Sequence, residues 1–330
     1  MGSRQRTITD PVIGVDMGGT KILAAVVRED GKILGRAKRR TKAEQGPEEV
    51  LARITQTVRQ AAGEANVSLA NIAALGIGAP GPLDPQEGVV FHTPNMPGWN
   101  NIPLGRRLSE VLGIPAFVEN DVNIGTLGEY VLGAGRGTTD MVGIFVGTGV
   151  GGGIILDGKL RGGARHAAGE IGHMVVAAGG PYCGCGRQGC LESVASRTAI
   201  ERDLRAGISA GRENQLARIA DRQINRLTSG ILAHAWEQGC PLTREVMGRA
   251  QWYLGLHAAA VVNLLDPEML VYGGGVVEAM GESFLAPIRM VAEQYYIHQE
   301  GEPIKIVAAR LGDDAGILGA AVMARRRLAR

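Results

Sequence analysis

The sequence lacks several features that would assign it at once to a large functional class. Its 35 basic and 33 acidic residues leave a formal net charge of +2, so no general electrostatic attraction to nucleic acid or membranes is expected. No apolar run is long enough to span a bilayer, and no apolar segment follows the two arginines near the start, so we expect a cytoplasmic protein. The expected partner is therefore a small molecule.

The nucleotide-binding motifs of two common classes are also missing. No GxxxxGK[ST] segment occurs, which excludes a P-loop. The pattern G-x-G-x-x-G is present at residues 147–152, but these glycines run into Ile154, Ile155 and an Asp-Gly turn instead of opening a helix. The segment is therefore predicted to be a β-hairpin, and a dinucleotide-binding dehydrogenase is excluded.

Cysteine is scarce, yet three of the four cysteines lie in residues 170–192, between two glutamates and beside one histidine. Thiolates and imidazole suit tetrahedral zinc, and a complete set of four ligands is available: His173, Cys183, Cys185 and Cys190. A disulfide or buried free thiols remain alternatives, because the one-residue gap after Cys183 is not the common zinc spacing. Cys240 is predicted to be a small buried residue.

A chain of 330 residues exceeds what one hydrophobic core usually serves, so two domains are expected. Residues 12–36 and 141–163 repeat one pattern, in which strand, glycine turn, strand, Asp-Gly turn and strand follow each other. This repetition predicts two related α/β domains that face a cleft. Each glycine turn carries a threonine, so the pair could bind the phosphates of one nucleotide; two ordinary hairpins are the alternative.

The other elements follow from apolar spacing. Helices are predicted at residues 47–65, 191–205, 213–236, 243–265 and 276–296, and strands at 72–77, 116–119 and 268–272. Two Pro- and Gly-rich stretches, residues 78–88 and 93–104, are predicted to be ordered loops near a site. Arginines at the end of the chain are interpreted as a solvated helix terminus.

Two carboxylates are candidates for chemistry. Asp121 follows a predicted strand beside Asn120, and it could take a proton from an alcohol during phosphoryl transfer. The structural alternative is an Asx turn or a helix N-cap. Asp16 could orient water on Mg²⁺ or cap a turn, and the glycines after Tyr272 allow a ligand to approach the backbone closely.

Seven ordered motifs, DMGGTK, GAPGPLD, TPNMPGW, ENDVN, GTGVGGG, GEIGHM and CGCGRQGCLE, closely resemble the ROK family of sugar kinases across essentially the whole chain. The resemblance is nearest to ATP-dependent glucose kinases of that family. It implies an actin-like, hexokinase-type α/β fold with a ribonuclease H-like duplication and two domains around a central cleft. The smaller domain would comprise residues 1–124 and 312–330, and the larger one, with the zinc site, residues 125–311.

The resemblance also implies site residues. Asp121 would be the general base for the sugar 6-hydroxyl, and the other sugar contacts would be Gly81, Asn120, Glu170, His173 and Glu192. ATP would be bound by Asp16, Gly18, Gly19, Thr20, Lys21, Gly147, Thr148 and Gly149, with Gly273, Gly274 and Gly275 near the adenosine. Catalysis would use Mg²⁺, and a structural Zn²⁺ would be bound by His173 and the three cysteines. A homodimer or homotetramer is expected.

Alternatives within this resemblance concern the sugar, the donor and the class. Another hexose or hexosamine could replace glucose, and polyphosphate could replace ATP. Some members of the family are sugar-responsive repressors, but the residues before Val12 are expected to be too few for a DNA-binding helix-turn-helix. One departure from relatives is at His166 and Ala167, where smaller residues are usual; it could alter the loop that leads into Glu170.

Overall fold

A computed structural model describes residues 7, 9–93, 96–212, 215–220, 227–298 and 303–329. In its first half, five strands form one sheet in the order β3-β2-β1-β4-β8. The first three strands pair antiparallel, whereas β1, β4 and β8 run parallel. These strands are β1 (Val12–Met17), β2 (Lys21–Val27), β3 (Ile33–Arg40), β4 (Leu75–Ala79) and β8 (Ala116–Asn120). A small antiparallel sheet beside them comprises β5 (Leu83–Asp84), β6 (Val89–His92) and β7 (Asn100–Ile102).

The second half repeats this architecture. Its sheet has the order β11-β10-β9-β12-β13, again with three antiparallel strands followed by two parallel ones. The strands are β9 (Met141–Val146), β10 (Val150–Leu156), β11 (Lys159–Leu160), β12 (Met269–Gly273) and β13 (Lys305–Ala308). The same pairing in both sheets confirms the duplication predicted from the two hairpin segments.

Helices connect and cover the sheets. They are α1 (Gly46–Glu64), α2 (Leu104–Leu112), α3 (Asp121–Leu132), α4 (Leu191–Ala195), α5 (Arg197–Ser209), α6 (Gln215–Ala220), α7 (Ser229–Glu237), α8 (Pro241–Leu265), α9 (Gly275–Met280), α10 (Glu282–Tyr295) and α11 (Ala315–Leu328). None of the helices in the described part of the chain combines the length and apolar character needed to cross a membrane.

Two predicted helices are each divided in the structure. The helix expected at residues 191–205 is interrupted at Ser196, which is extended and caps α5 by accepting a hydrogen bond from the Ala199 N–H. The helix expected at 276–296 is broken at Gly281, whose φ of +54° favours glycine. The strand expected at 72–77 begins only at Leu75.

The helix predicted at residues 213–236 is present in part, as α6 and α7; residues 213–214 and 221–226 lie outside the described residues. The other predicted helices and strands are present within one to three residues of their predicted ends. Apolar periodicity therefore located the predicted elements well, but it did not detect breaks across which apolar spacing continues. It also did not predict α2 and α3, and the two stretches predicted as loops contain the short strands β5 and β7.

Between the two sheets, α3 and α11 cross at unusually short range. A Cβ atom on Gly319 would lie 1.7 Å from the Ile124 carbonyl oxygen, and one on Gly128 would lie 2.5 Å from the Ala315 carbonyl oxygen. On its other side, α11 packs on the first sheet, where a Cβ on Gly14 would lie 1.8 Å from the Ile317 carbonyl oxygen. The C-terminal helix therefore covers the N-terminal sheet.

The domain boundaries remain a prediction. The smaller domain would comprise residues 1–124 and 312–330, and the larger domain residues 125–311. The return of α11 to the first sheet agrees with assigning the C-terminal segment to the smaller domain. The proposed boundary after residue 124 falls inside α3, which also contacts strands of the second sheet.

The close crossing of the two helices generates a stability prediction. Gly319→Ala would force a methyl group against the backbone of α3, so we expect a loss of about 2 kcal/mol or more in the free energy of unfolding. Gly63→Ala is the matched control, because that exposed glycine of α1 has open space around its Cβ position; it should be neutral or stabilising by about 0.5 kcal/mol. Urea unfolding measures both, and equal stabilities of the two variants would contradict this account.

Candidate active site

Two neighbouring cavities lie in the cleft between the sheets. The larger cavity, of about 750 Å³, is lined from the first half by Gly81, Asn120 and Asp121 and from the second half by Gly147, Thr148, Gly149, Glu170, His173 and Glu192. The smaller cavity, of about 330 Å³, is lined by Asp16, Lys21, Asp121, Gly274, Gly275, Glu278 and Asp313, among others. Asp121 lines both cavities, so a ligand in one cavity and a ligand in the other could both contact its carboxylate.

Asp121 is the first residue of α3, and the residue before it caps the helix. The Asn120 side-chain oxygen accepts hydrogen bonds from the Val122 N–H at 2.9 Å and the Asn123 N–H at 3.1 Å. Burial raises the pKa of Asp121; the Val122 N–H opposes this shift, and the nearby Glu170 carboxylate adds to it. A carboxylate of raised pKa in a cleft is suited to accept a proton.

Asp16 lies at the end of β1 in the smaller cavity. Its pKa is raised to about 6, mainly by burial and also by the negative charge of Asp121, whereas Lys21 opposes the shift. Lys21 itself donates a 2.7 Å hydrogen bond to Asp313, in the turn before α11, and this bond lowers the pKa of Asp313. Carboxylate oxygens that repel each other in this way are suited to a bound cation such as Mg²⁺.

The glycine turns are fixed by hydrogen bonds to neighbouring segments. In the first turn, the Gly18 carbonyl oxygen accepts a 2.6 Å hydrogen bond from the Thr41 hydroxyl. In the second, the Thr148 carbonyl oxygen accepts one of 2.7 Å from the Thr198 hydroxyl. The second turn leaves no room for a side chain at Gly149, where a Cβ would lie 2.2 Å from the Glu192 carboxylate. Both turns therefore have a fixed backbone arrangement, and the second turn lines the larger cavity.

Glu192, in α4, connects the second glycine turn with the cysteine segment. One carboxylate oxygen accepts a 3.0 Å hydrogen bond from the Val150 N–H, and the other lies 3.6 Å from the Cys183 sulfur. Glu170 immediately precedes the short 3-10 helix Ile171–His173. Both glutamates line the larger cavity together with His173.

The histidine and the three cysteines predicted as ligands converge, with all four ligand atoms within 4.8 Å of one another. The Cys183 sulfur lies 3.6 Å from His173 Nδ1, and the Cys185 and Cys190 sulfurs are 3.7 Å apart. Tetrahedral zinc, with Zn–S near 2.3 Å and Zn–N near 2.0–2.1 Å, separates its ligand atoms by about 3.5–3.8 Å. The cluster therefore has the donor set of a tetrahedral zinc site, and these two pairs of ligand atoms have the spacing that zinc requires. Its cysteines are not joined in a disulfide.

Not every predicted residue lies in the two cavities. Neither cavity is lined by Gly18, Gly19, Thr20 or Gly273. In the sequence, however, the first three directly precede Lys21 and Gly273 directly precedes Gly274, and both Lys21 and Gly274 line the smaller cavity. Asp313 and Glu278 line the smaller cavity without having been predicted. The Gly-Asp-Asp turn before the last helix was a sequence signal for Asp313; Glu278 carries no comparable signal. Within the Pro- and Gly-rich stretch at residues 93–104, Asn95 lies outside the described residues.

A duplicated α/β architecture with carboxylates between two neighbouring cavities is typical of proteins with the hexokinase-type fold. The ROK family model matches residues 12–327, and the chain belongs to the ROK family. It is 38% identical over 318 residues to a glucokinase of Thermotoga maritima, covering 96% of this chain and 98% of the relative.

Two solved structures confirm the fold class. A ROK family glucokinase from Streptomyces griseus in complex with glucose and AMPPNP has a TM-score of 0.83 and 36% identity, covering 96% of this chain and 99% of that one. A ROK hexokinase from Thermus thermophilus has a TM-score of 0.81 and 35% identity, covering 97% and 99%.

The cap of α3 generates a prediction that concerns stability alone. Asn120→Ala removes the acceptor for two N–H groups of the first turn, so the free energy of unfolding should fall by about 1 kcal/mol. Asn120→Ser is the control, because serine caps helices well and should restore most of the loss. Denaturant unfolding of the three proteins provides the test, and an alanine variant as stable as the wild type would show that the cap is unimportant.

Proposed function

We propose that the protein is an ATP-dependent glucokinase that transfers the γ-phosphoryl group to the glucose 6-hydroxyl. The observation that carries this proposal is the position of Asp121 where the two cavities meet. A sugar in the larger cavity and a nucleotide in the smaller one would bring acceptor and donor together at this carboxylate. The Streptomyces griseus glucokinase was solved in complex with glucose and AMPPNP, which supports a sugar and a nucleotide as the two ligands.

Asp121 acts as the general base in this proposal. Its carboxylate takes the proton of the 6-hydroxyl as the oxygen attacks phosphorus, which makes the alcohol a better nucleophile in the transition state. The remaining hydroxyls are bound by Asn120, Glu170, His173 and Glu192, with the backbone at Gly81 on the facing side. Bidentate carboxylates and an amide are well suited to this task because each sugar hydroxyl both donates and accepts hydrogen bonds.

The nucleotide occupies the smaller cavity with its adenosine near Gly273, Gly274 and Gly275, and its phosphates extend toward the larger cavity, where the turn at residues 147–149 offers backbone N–H groups and the Thr148 hydroxyl. The turn at residues 18–20, which precedes Lys21, binds the phosphates from the first half of the chain. Lys21 supplies positive charge beside them. Mg²⁺, when bound with ATP, neutralises phosphate charge, and Asp16 would hold it through its carboxylate or a bound water. Asp313 and Glu278 add to the negative charge that favours a cation in the smaller cavity.

A structural Zn²⁺ held by His173, Cys183, Cys185 and Cys190 orders the sugar side of the cleft. His173 faces the cysteines through Nδ1, which leaves Nε2 for a sugar hydroxyl with its tautomer fixed. Because Glu192 contacts both Cys183 and the hairpin at Val150, ordering of the cysteine segment also fixes that carboxylate. A zinc ion there would therefore support sugar binding, whereas proton transfer in phosphoryl transfer rests on Asp121.

Assays across hexoses, hexosamines and two donors test the function. Coupled assays with ATP should show the highest kcat/KM for glucose, ahead of mannose, fructose, N-acetylglucosamine and N-acetylmannosamine, and polyphosphate should be a poor donor. Asp121→Asn should lower kcat by roughly a hundredfold or more without unfolding the protein, as loss of a general base predicts.

Asp266→Asn is the matched control, because Asp266 lies at the end of α8, away from both cavities, in a left-handed conformation that asparagine tolerates. It should retain wild-type kinetics. Turnover of Asp121→Asn within a few-fold of wild type would rule out the proposed base, and higher kcat/KM for another sugar would replace glucose as the substrate.

Removal of the metal gives a separate prediction. Elemental analysis should find zinc equimolar with the chain, and Cys185→Ser should lose it. Because the cluster adjoins the sugar contacts, KM for glucose should then rise more than KM for ATP. Cys240→Ala, which alters a buried cysteine outside the cluster, should retain zinc. Protein purified without zinc, with three alkylatable thiols in the segment, would reject the metal site.

A further inference from the structure

His166 and Asp84 approach each other across the mouth of the cleft. His166 lies in the loop between β11 and the 3-10 helix Ile171–His173, in the second half of the chain, whereas Asp84 ends β5 in the first half. His166 Nε2 is 3.9 Å from Asp84 Oδ1, and both side chains are 26% exposed. The distance is longer than a hydrogen bond but short enough for a small movement to form one.

Each partner is held by its own surroundings. Asp84 Oδ1 accepts hydrogen bonds from the Gln86 N–H at 2.8 Å and the Glu87 N–H at 3.1 Å, which fixes the carboxylate in the β5–β6 turn. Arg327 of α11 donates a 2.6 Å hydrogen bond to the Pro85 carbonyl oxygen of that turn. Asp84 is therefore a fixed point on the first half of the molecule.

The loop that carries His166 has a constrained backbone. His166 has a φ of +55°, in the left-handed region that few side chains adopt. The Ala168 N–H donates a 3.0 Å hydrogen bond to the Gly162 carbonyl oxygen, which closes the loop around His166. A Cβ on Gly169 would lie 2.6 Å from the Gly152 carbonyl oxygen, so the end of the loop is seated tightly on β10.

The contact lies at the rim of the larger cavity. Ala167, Gly169 and Glu170 follow His166 and line that cavity, and Gly81 and Pro82, just before Asp84, line it from the facing side. Arg327 also lies 3.6 Å from the Glu119 carboxylate, which accepts a 3.1 Å hydrogen bond from the Asn120 N–H. Both ends of the contact are therefore connected through a few residues to side chains that line the cavity.

We propose that His166 is a positioning residue for the sugar, which acts by hydrogen-bonding to Asp84 when the cleft closes. Closure on the sugar shortens the contact and holds the loop at residues 161–170 against the first half, so that Glu170 stays in place beside Asp121. The inference rests on the proposed sugar kinase function. It assigns to His166, where smaller residues were expected, a role in sugar affinity that is separate from proton transfer.

The test compares sugar and nucleotide kinetics in paired variants. His166→Gly removes the imidazole and suits the left-handed backbone, whereas His166→Asn tolerates the same backbone without the flexibility of glycine. Both should raise KM for glucose about three- to tenfold, as expected for loss of one partly exposed charge-assisted contact, while kcat and KM for ATP stay within about twofold. Asp84→Ala removes the carboxylate oxygen that faces His166, and it should raise KM for glucose by a similar factor. Asp84→Asn keeps that oxygen, which also accepts from the Gln86 and Glu87 N–H groups, and it should raise KM less.

The double variant His166→Gly/Asp84→Ala decides between a direct contact and separate effects. If the two residues act together, its KM for glucose should match that of the single variants; multiplied effects would overturn the proposal, as would an unchanged KM in both single variants. His92→Ala, at an exposed histidine of β6, is the control and should leave KM unchanged. If the wild-type protein prefers another sugar, the same comparison is made with that sugar. A wild-type protein that phosphorylates no sugar would overturn both the sugar kinase function and the role of His166.

Discussion

The cleft depends on the close crossing of α3 and α11. Gly128 and Gly319 allow the two helices to approach until backbone meets backbone, and any side chain at Gly319 would prevent this. The crossing is completed by the buried carboxylate of Glu129, which accepts hydrogen bonds from the Ala134, Arg310 and Leu311 N–H groups. A buried carboxylate is tolerated because these donors replace its lost hydration, and they fix the segment before α11 against the end of α3.

This crossing determines where the reacting groups lie. Asp121 begins α3, and the turn with Asp313 immediately precedes α11, so the relative position of the helices sets the relative position of both carboxylates. Asp16 reaches the same place from β1, which lies under α11; a Cβ on Gly316 would be 2.9 Å from its carboxyl carbon. The pKa values of Asp16 and Asp121 are raised mainly by this burial and also by nearby negative charge, from Asp121 on Asp16 and from Glu170 on Asp121.

Local signals made much of the fold predictable from the sequence. The two hairpin segments were recognised because Gly and Asp-Gly turns punctuate strands within a few residues, and their duplication implied the second sheet. The breaks at Ser196 and Gly281 were not recognised, since apolar spacing continues across them while the backbone changes direction. Asp313 was missed for a different reason: the Gly-Asp-Asp turn marks it in the sequence, but only packing brings it to its partner Lys21, at the other end of the chain.

For this protein, the sequence by itself determined the features that depend on neighbours in the chain. These are the four zinc-type ligands, the two glycine turns and the cap that Asn120 places before Asp121. The tertiary structure alone decided which of these features share a cleft, that Asp121 lies where its two cavities meet, and that His166 faces Asp84 across the rim. The reason is physical: these contacts join segments far apart in sequence, and their geometry is set by how the two sheets and the crossing helices pack.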